Sequence, residues 1–273
     1  MPYRGRVGAG PAESATPRRI ERWFYLAVAV SMLLLSFAGF SPSIADQSRR
    51  NALPTPLVVA HGALALAWLV LFLAQAALAA TRRLAVHRRL GRVGPLLAVA
   101  MIVVGYVVTT TMVRRGFDLS GDLNRVLLAP GSPPPPAATV LFPLAELLTF
   151  GALVAAGLWY RDRPEIHKRL MLLALIPLAQ EPVNHLIGHL IGHWPTLFSA
   201  GRSISRAAGP ALTILFLVIA AIHDRVSEGR IHPVSLWVPV LLLAWMSALP
   251  LLVFPTVAWH GLAAWLVSFA PAW

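Results

Sequence analysis

Ionisable side chains that interrupt or border long apolar segments mark where this sequence could carry out chemistry. Seven candidate residues stand in such places: His61, His87, Glu146, His167, Glu181, His185 and His189. Within hydrocarbon such a group is costly unless it is paired, neutralised or hydrated, so each marks a candidate functional site. Imidazole and carboxylate groups bind transition metals, imidazole also binds haem iron, and both can relay protons.

One apolar segment repeats these groups at every fourth residue, at Glu181, His185 and His189. Neighbours in this series lie about 6 Å apart along a helix, so two of them can bind one ion together. Glu146 and His61 fall at a matching depth on other segments, in the outer half of the membrane. The pattern predicts a transition-metal site formed by Glu146, Glu181, His185 and His189, or a haem site or proton relay that also uses His61. The alternative is that these groups only form hydrogen bonds between helices and stabilise the bundle. For His61 considered by itself, that alternative is favoured.

His87 and His167 begin two similar stretches, His-Arg-Arg-Leu-Gly and His-Lys-Arg-Leu-Met. Each stretch opens an apolar segment that runs outward, so the two histidines are expected at the same depth near the inner face. They could be the axial ligands of an inner haem, or could bind an anionic headgroup or a quinone oxygen. The alternative, which the residues alone favour, is a solvated basic cap at the membrane surface.

Other polar residues are expected to be structural. His61, Trp68 and Gln75 are spaced by seven and form one stripe, which predicts a helix-packing seam. The remaining histidines, His223, His232 and His260, fall at segment ends, and we expect no site from them.

The elements that position these residues are apolar segments of membrane-spanning length. The chain is 57% hydrophobic and 12% charged, with a mean hydropathy of +0.69. Seven segments approach the ~20 residues that a helix needs to cross a bilayer. They run from Trp23 to Phe40, Leu57 to Ala80, Gly94 to Met112, Ala138 to Tyr160, Leu170 to Gly192, Ala207 to His223 and Val234 to Phe254. The sequence therefore predicts an all-α membrane protein, a bundle of about seven transmembrane helices.

Basic residues set the orientation of this bundle. With the N-terminus inside, 16 of the 23 Lys and Arg residues lie in inner segments and seven in outer ones, as the positive-inside rule requires. The same distribution makes the lipid bilayer the expected partner and argues against nucleic-acid binding. We expect residues 1–20 to be a disordered cytoplasmic tail and residues 21–273 a single transmembrane domain. The last apolar stretch, 257–273, predicts a C-terminal interfacial helix, with a short eighth span as the alternative.

Four stretches carry a resemblance to a group of uncharacterised bacterial multi-pass inner-membrane proteins. They are the residues Glu21-Arg22-Trp23-Phe24-Tyr25-Leu26, His61-Gly62 with Trp68, His87-Arg88-Arg89-Leu90-Gly91, and Arg163-Pro164-Glu165 with His167-Lys168-Arg169-Leu170-Met171. The resemblance covers most of the chain up to about residue 190. It implies a place in the cytoplasmic membrane of a bacterium and supplies no activity.

The chain also resembles the transmembrane dihaem b-type cytochromes that pass electrons from ascorbate. In those proteins four histidine ligands alternate sides over four successive helices, and His61, His87 and His167 match three of the places. The fourth place falls on the segment of Glu146, which has no histidine, so His185 or His189 would have to replace it. The resemblance implies haem b, electron transfer and a quinone or other redox partner.

Overall fold

The computed structural model describes residues 15–45, 55–115, 137–191 and 195–270. Side chains are described in these ranges except at 15–22, 43, 114–115, 188, 191 and 195–209. The secondary structure in the described ranges is helical throughout. Ten α-helices are numbered in chain order: α1 (Ala15–Ala45), α2 (Pro56–Ala80), α3 (Leu84–Leu90), α4 (Val93–Arg115), α5 (Leu141–Trp159), α6 (Pro164–Leu173), α7 (Ile176–Ile191), α8 (Pro195–Glu228), α9 (Pro233–Ala248) and α10 (Val257–Ser268). A 3-10 turn, Ala137–Val140, precedes α5, and a π-helical turn, Leu249–Val253, follows α9.

Seven helical stretches in the described ranges are long and apolar enough to cross a membrane. They are Trp23–Pro42, Pro56–Ala80, Leu84–Val113, Ala137–Trp159, Pro164–Ile187, Pro210–Glu228 and Pro233–Val253. The predicted all-α membrane bundle of about seven helices is therefore confirmed. Of the predicted cytoplasmic tail, residues 1–14 lie outside the described residues, and α1 already begins at Ala15.

Two of the stretches begin earlier than hydropathy predicts. The third starts at Leu84 rather than Gly94, and the fifth at Pro164 rather than Leu170. Each consists of a short first helix and a longer second one, α3 with α4 and α6 with α7. In the second case the break at Ala174–Leu175 comes just before Pro177, which has no backbone N–H to continue the helix. The early starts place His87 and His167 inside these helical stretches.

Helix contacts define which segments can share a site. α1 packs between α2 and α7 and also contacts α8, while α4 packs between α2 and α5. α5 contacts both α6 and α7, and α9 contacts α8 and α6. The main core lies where these helices meet and includes Trp68, Phe150 and Leu172, which are 3%, 2% and 2% exposed. We call the end that carries connections 81–83, 160–163 and 229–232 the inner end, and the opposite one the outer end.

The C-terminal helix α10 covers part of the outer end. Its 12 residues extend about 18 Å, which is shorter than a bilayer core of about 30 Å. The indole Nε1 of Trp259 donates to the carbonyl of Ala138 at 2.9 Å, and the Tyr106 hydroxyl donates to the carbonyl of Leu266 at 3.3 Å. These bonds hold α10 against α4 and the turn before α5, and α10 is shorter than the seven candidate spans.

Candidate functional site at the inner end

His87 lies on α3 with one ring nitrogen held by the neighbouring helix. Its Nδ1 is 3.2 Å from the backbone carbonyl oxygen of Gln75 on α2. A carbonyl can only accept, so Nδ1 carries the hydrogen and donates it. The neutral ring then has an unprotonated Nε2, the form in which imidazole binds a metal ion.

His167 on α6 has the same arrangement. Its Nδ1 donates to the backbone carbonyl of Gly157 on α5 at 2.7 Å. The two helices approach closely there, because a Cβ on Gly157 would stand 2.8 Å from the sulfur of Met171. His167 is half-buried, as is His87.

The two histidine rings lie close together at the inner end. Their centroids are 6.5 Å apart and their planes are nearly perpendicular, at 86°. His87 and His167 are thus brought together at the inner end. The connections that precede their helices, α2 to α3 and α5 to α6, differ in length. Both rings are oriented by a backbone acceptor on the preceding helix, the arrangement by which a protein fixes the tautomer of a metal-binding histidine.

A buried ion-pair network lies next to this pair and centres on Arg169. The guanidinium is 1% exposed, and its Nε and Nη2 donate to Asp224 on α8 at 3.1 and 2.5 Å. Its Nη1 donates to the backbone oxygen of Glu165 at 2.7 Å and to a carboxylate oxygen of the same residue at 2.8 Å. Nη2 also pairs with Glu228, and Lys168 pairs with Glu165. The expectation of a solvated basic cap is therefore wrong for Arg169, because three carboxylates from two helices enclose it.

Asp224 extends this network to α9 and to His223. Its second oxygen accepts the backbone N–H of His232 at 2.9 Å, at the start of α9. The His223 ring is 5% exposed, stacks on Phe24 of α1 at 3.9 Å, and has its Nδ1 3.6 Å from Asp224. His223 was expected to be an ordinary segment-end residue, but burial against α1 and Asp224 makes it part of the inner core.

Sequence reasoning missed the network because its central contact joins residues 55 positions apart. Two local signals were available. Glu165 stands three and four residues before Lys168 and Arg169, the spacing of helical ion pairs. Asp224 is also one of only 11 acidic residues in the chain, and it directly follows the predicted apolar segment that ends at His223.

Two pairs of residues from the predicted outer site interact. Glu146 on α5 and Glu181 on α7 interact electrostatically, and the rings of His185 and His189 lie 6.3 Å apart. His185 also contacts the Phe40 ring of α1 at 4.7 Å. These are the groups that were expected to share the outer half of the bundle.

His61 is not joined to the other predicted outer residues. No hydrogen bond or ring contact links it to Glu146, Glu181, His185 or His189 within the described part of the chain. The reason is the helix order, since α1 packs between α2 and α7. Further along the His61 stripe, Trp68 packs edge-on against Phe150 at 4.9 Å, as expected of a packing seam.

Across the described ranges, no three His, Asp or Glu side chains converge as a metal-ion site would require. The four-residue metal site expected from Glu146, Glu181, His185 and His189 stays a prediction. Comparison of the chain with protein-family models, with curated proteins and with solved structures found no match in any of the three.

Proposed function

We propose that this membrane protein binds haem b between His87 and His167 and transfers electrons within the membrane. Both rings use Nδ1 to bond a backbone carbonyl, which leaves Nε2 as the metal-binding atom on each. The proposal places the chain in the cytoplasmic membrane of a bacterium, with this pair on the cytoplasmic side, in keeping with its motifs and its basic inner connections.

The separation of the two rings is the observation that carries this proposal. Two imidazoles on opposite sides of one metal ion have centroids about 6.4 Å apart, from metal–nitrogen bonds of about 2.1 Å and a nitrogen-to-centroid distance of about 1.1 Å. The observed separation is 6.5 Å. The two rings are therefore at the centroid separation that binding one ion from both sides requires.

The number of protein ligands favours haem over a bare metal ion. Zinc sites use three or four protein ligands, whereas haem iron takes at most two because the porphyrin supplies the other four nitrogens. The described residues supply two imidazoles here and no third His, Asp or Glu that would complete a bare-metal site. Haem iron would supply a reversible one-electron change, and His87 and His167 would hold that iron through their Nε2 atoms.

Absorption spectroscopy tests the proposal. Protein expressed with ample haem supply and purified in mild detergent should show a Soret band that shifts on reduction. His87→Ala and His167→Ala should each lose most of this band, and His260→Ala should keep it because His260 lies at the outer end beside Phe254. Colourless wild-type protein, or a full Soret band in both inner variants, would refute the proposal.

A proton-coupled site in the outer half is the second candidate. It is supported by the electrostatic interaction between Glu146 and Glu181, which come from different helices. Carboxyl groups inside membrane spans commonly take part in proton relays. If this site is functional, Glu146→Gln and Glu181→Gln should abolish proton uptake into proteoliposomes under a pH gradient. Uptake that is unchanged in both variants would exclude this candidate.

A further inference from the structure

Gln75 takes part in the inner site through its backbone, and its side chain has no hydrogen-bond partner among the described residues. Its carbonyl accepts the Nδ1–H of His87, as described above. Its carboxamide Nε2 and Oε1 are both buried, and neither has a hydrogen-bond partner in the described residues. Leaving a buried donor and acceptor unpaired is destabilising, and such groups in native proteins commonly meet a ligand or water.

The position of the carboxamide relates it to His87. Gln75 stands five residues before the end of α2, about 7 Å inside the inner boundary of that span. Its Nε2 lies against the turn between α3 and α4, where a Cβ on Gly91 would be 3.3 Å away. Gly91 is one helical turn above His87, to which its N–H donates at 2.8 Å. The unpaired carboxamide therefore lies one turn deeper in the membrane than the candidate redox pair.

The chemistry of the carboxamide restricts the ligand. It is neutral and deep, so a neutral ligand is favoured over a carboxylate, whose charge would lose hydration there. It offers one donor and one acceptor group, which match a carbonyl oxygen in the oxidised form and a hydroxyl in the reduced form. Leu84 and Val86 on α3 are 51% and 48% exposed, so the helix that carries His87 presents apolar side chains to lipid.

We propose that Gln75 binds the head group of a lipid-soluble quinone or quinol beside His87. Nε2–H would donate to a quinone carbonyl, and Oε1 would accept from a quinol hydroxyl. Binding would require the carboxamide to rotate away from the α3–α4 turn, against which its Nε2 now lies. This inference rests on the proposed function, since it takes the His87–His167 pair as the redox centre that the quinone approaches.

Binding of decylubiquinone, measured by calorimetry in mild detergent, tests the inference. Gln75→Leu should weaken binding at least tenfold, whereas Gln180→Leu, which removes a carboxamide from α7, should leave it unchanged. The ligand-free Gln75→Leu protein should melt no lower than wild type, because an unpaired buried amide has been replaced by an apolar group of similar size. Gln75→Met serves the same purpose if the leucine variant does not fold. Wild-type protein that binds no quinone, or a Gln75→Leu protein that binds it as tightly as wild type, would overturn the inference.

The Soret band of the same preparations separates this inference from the proposed function. If both hold, Gln75→Leu keeps the band and loses quinone, while His87→Ala loses the band. A colourless wild type that still binds quinone through Gln75 would refute the haem proposal and retain the quinone site. If Gln75→Leu lost haem but still bound quinone, the inference would be overturned, because Gln75 would then contribute to haem binding and not to quinone binding.

Discussion

Gly39 on α1 lies directly against the backbone of Pro182 on α7. A Cβ built on Gly39 would stand 2.8 Å from the Cα of Pro182 and 2.9 Å from its carbonyl carbon. The two helix backbones are therefore in contact, and α1 could not pack this closely if it carried any side chain at position 39. Small residues permit such approach between membrane helices, where van der Waals packing is a main source of association.

We predict that Gly39→Ala destabilises the bundle by about 1–3 kcal/mol, because the new methyl group must push two backbones apart. Gly62→Ala is the matched control, since a Cβ at Gly62 has no atom within 4 Å and alanine favours the helix. The melting temperature of each variant in detergent measures the effect. Equal melting temperatures for the two variants would show that α1 and α7 are not in backbone contact.

The Arg169–Asp224 pair gives a second prediction. Removing one partner of a buried ion pair typically costs about 3–5 kcal/mol, because the other charge remains buried. Arg169→Met should therefore lower the melting temperature sharply, and Asp224→Asn should lower it more than Glu228→Gln. We expect the larger effect at Asp224 because its side chain is 1% exposed, whereas that of Glu228 is 23% exposed. Arg163→Met, at an exposed arginine beside Tyr160, is the control and should have little effect. A mild Arg169→Met phenotype would mean that the network contributes little to folding.

The seven spans could be predicted because long apolar segments are themselves the physical requirement for crossing a membrane. The start of the third span at Leu84 could not, since Arg88, Arg89 and Arg92 lower the local hydropathy while the backbone remains largely helical. Burial of Arg169 could not be predicted either, because it depends on the carboxylate of Asp224, which lies on another helix 55 residues further along the chain. The pairing of His87 with His167 followed from equal depth, but the backbone acceptors that orient both rings are known only from the fold.

The turn between α2 and α3 gives a third prediction. Arg82 has a φ of 60°, in the left-handed region where a side chain is strained and glycine is favoured. The N–H of Arg83 bonds the carbonyl of Leu78 at 2.8 Å, a Schellman-type helix end whose left-handed position is usually glycine. Arg82→Gly should therefore stabilise the protein by about 1 kcal/mol, provided the loss of one inner charge leaves the orientation intact. Arg83→Gly, at a residue with φ −83°, should destabilise it. A lower melting temperature for Arg82→Gly would contradict the assigned turn.

The start of α9 gives a prediction about pH. His232 precedes α9 and caps it, since its Nδ1 accepts the backbone N–H of Val234 at 3.2 Å. Burial lowers the pKa of His232, and the nearby Arg169 guanidinium lowers this pKa further, against the opposing effect of Asp224 and Glu228. The folded protein thus holds this proton less tightly than the unfolded chain. The stabilising contribution is complete above the unfolded pKa of about 6.5 and is lost as the pH falls through the folded pKa.

Melting temperature should consequently decrease as the pH falls from about 7 to about 5. Protonation of Nδ1 removes the acceptor that caps Val234, and it places a cation beside Arg169. His232→Asn should reduce this decrease, because asparagine caps the helix without titrating in this range. His260→Asn, at the outer end, should keep the wild-type pH dependence. If His232→Asn melts with the same pH dependence as wild type, protonation of His232 is not coupled to folding, and the cap at Val234 does not depend on a neutral imidazole.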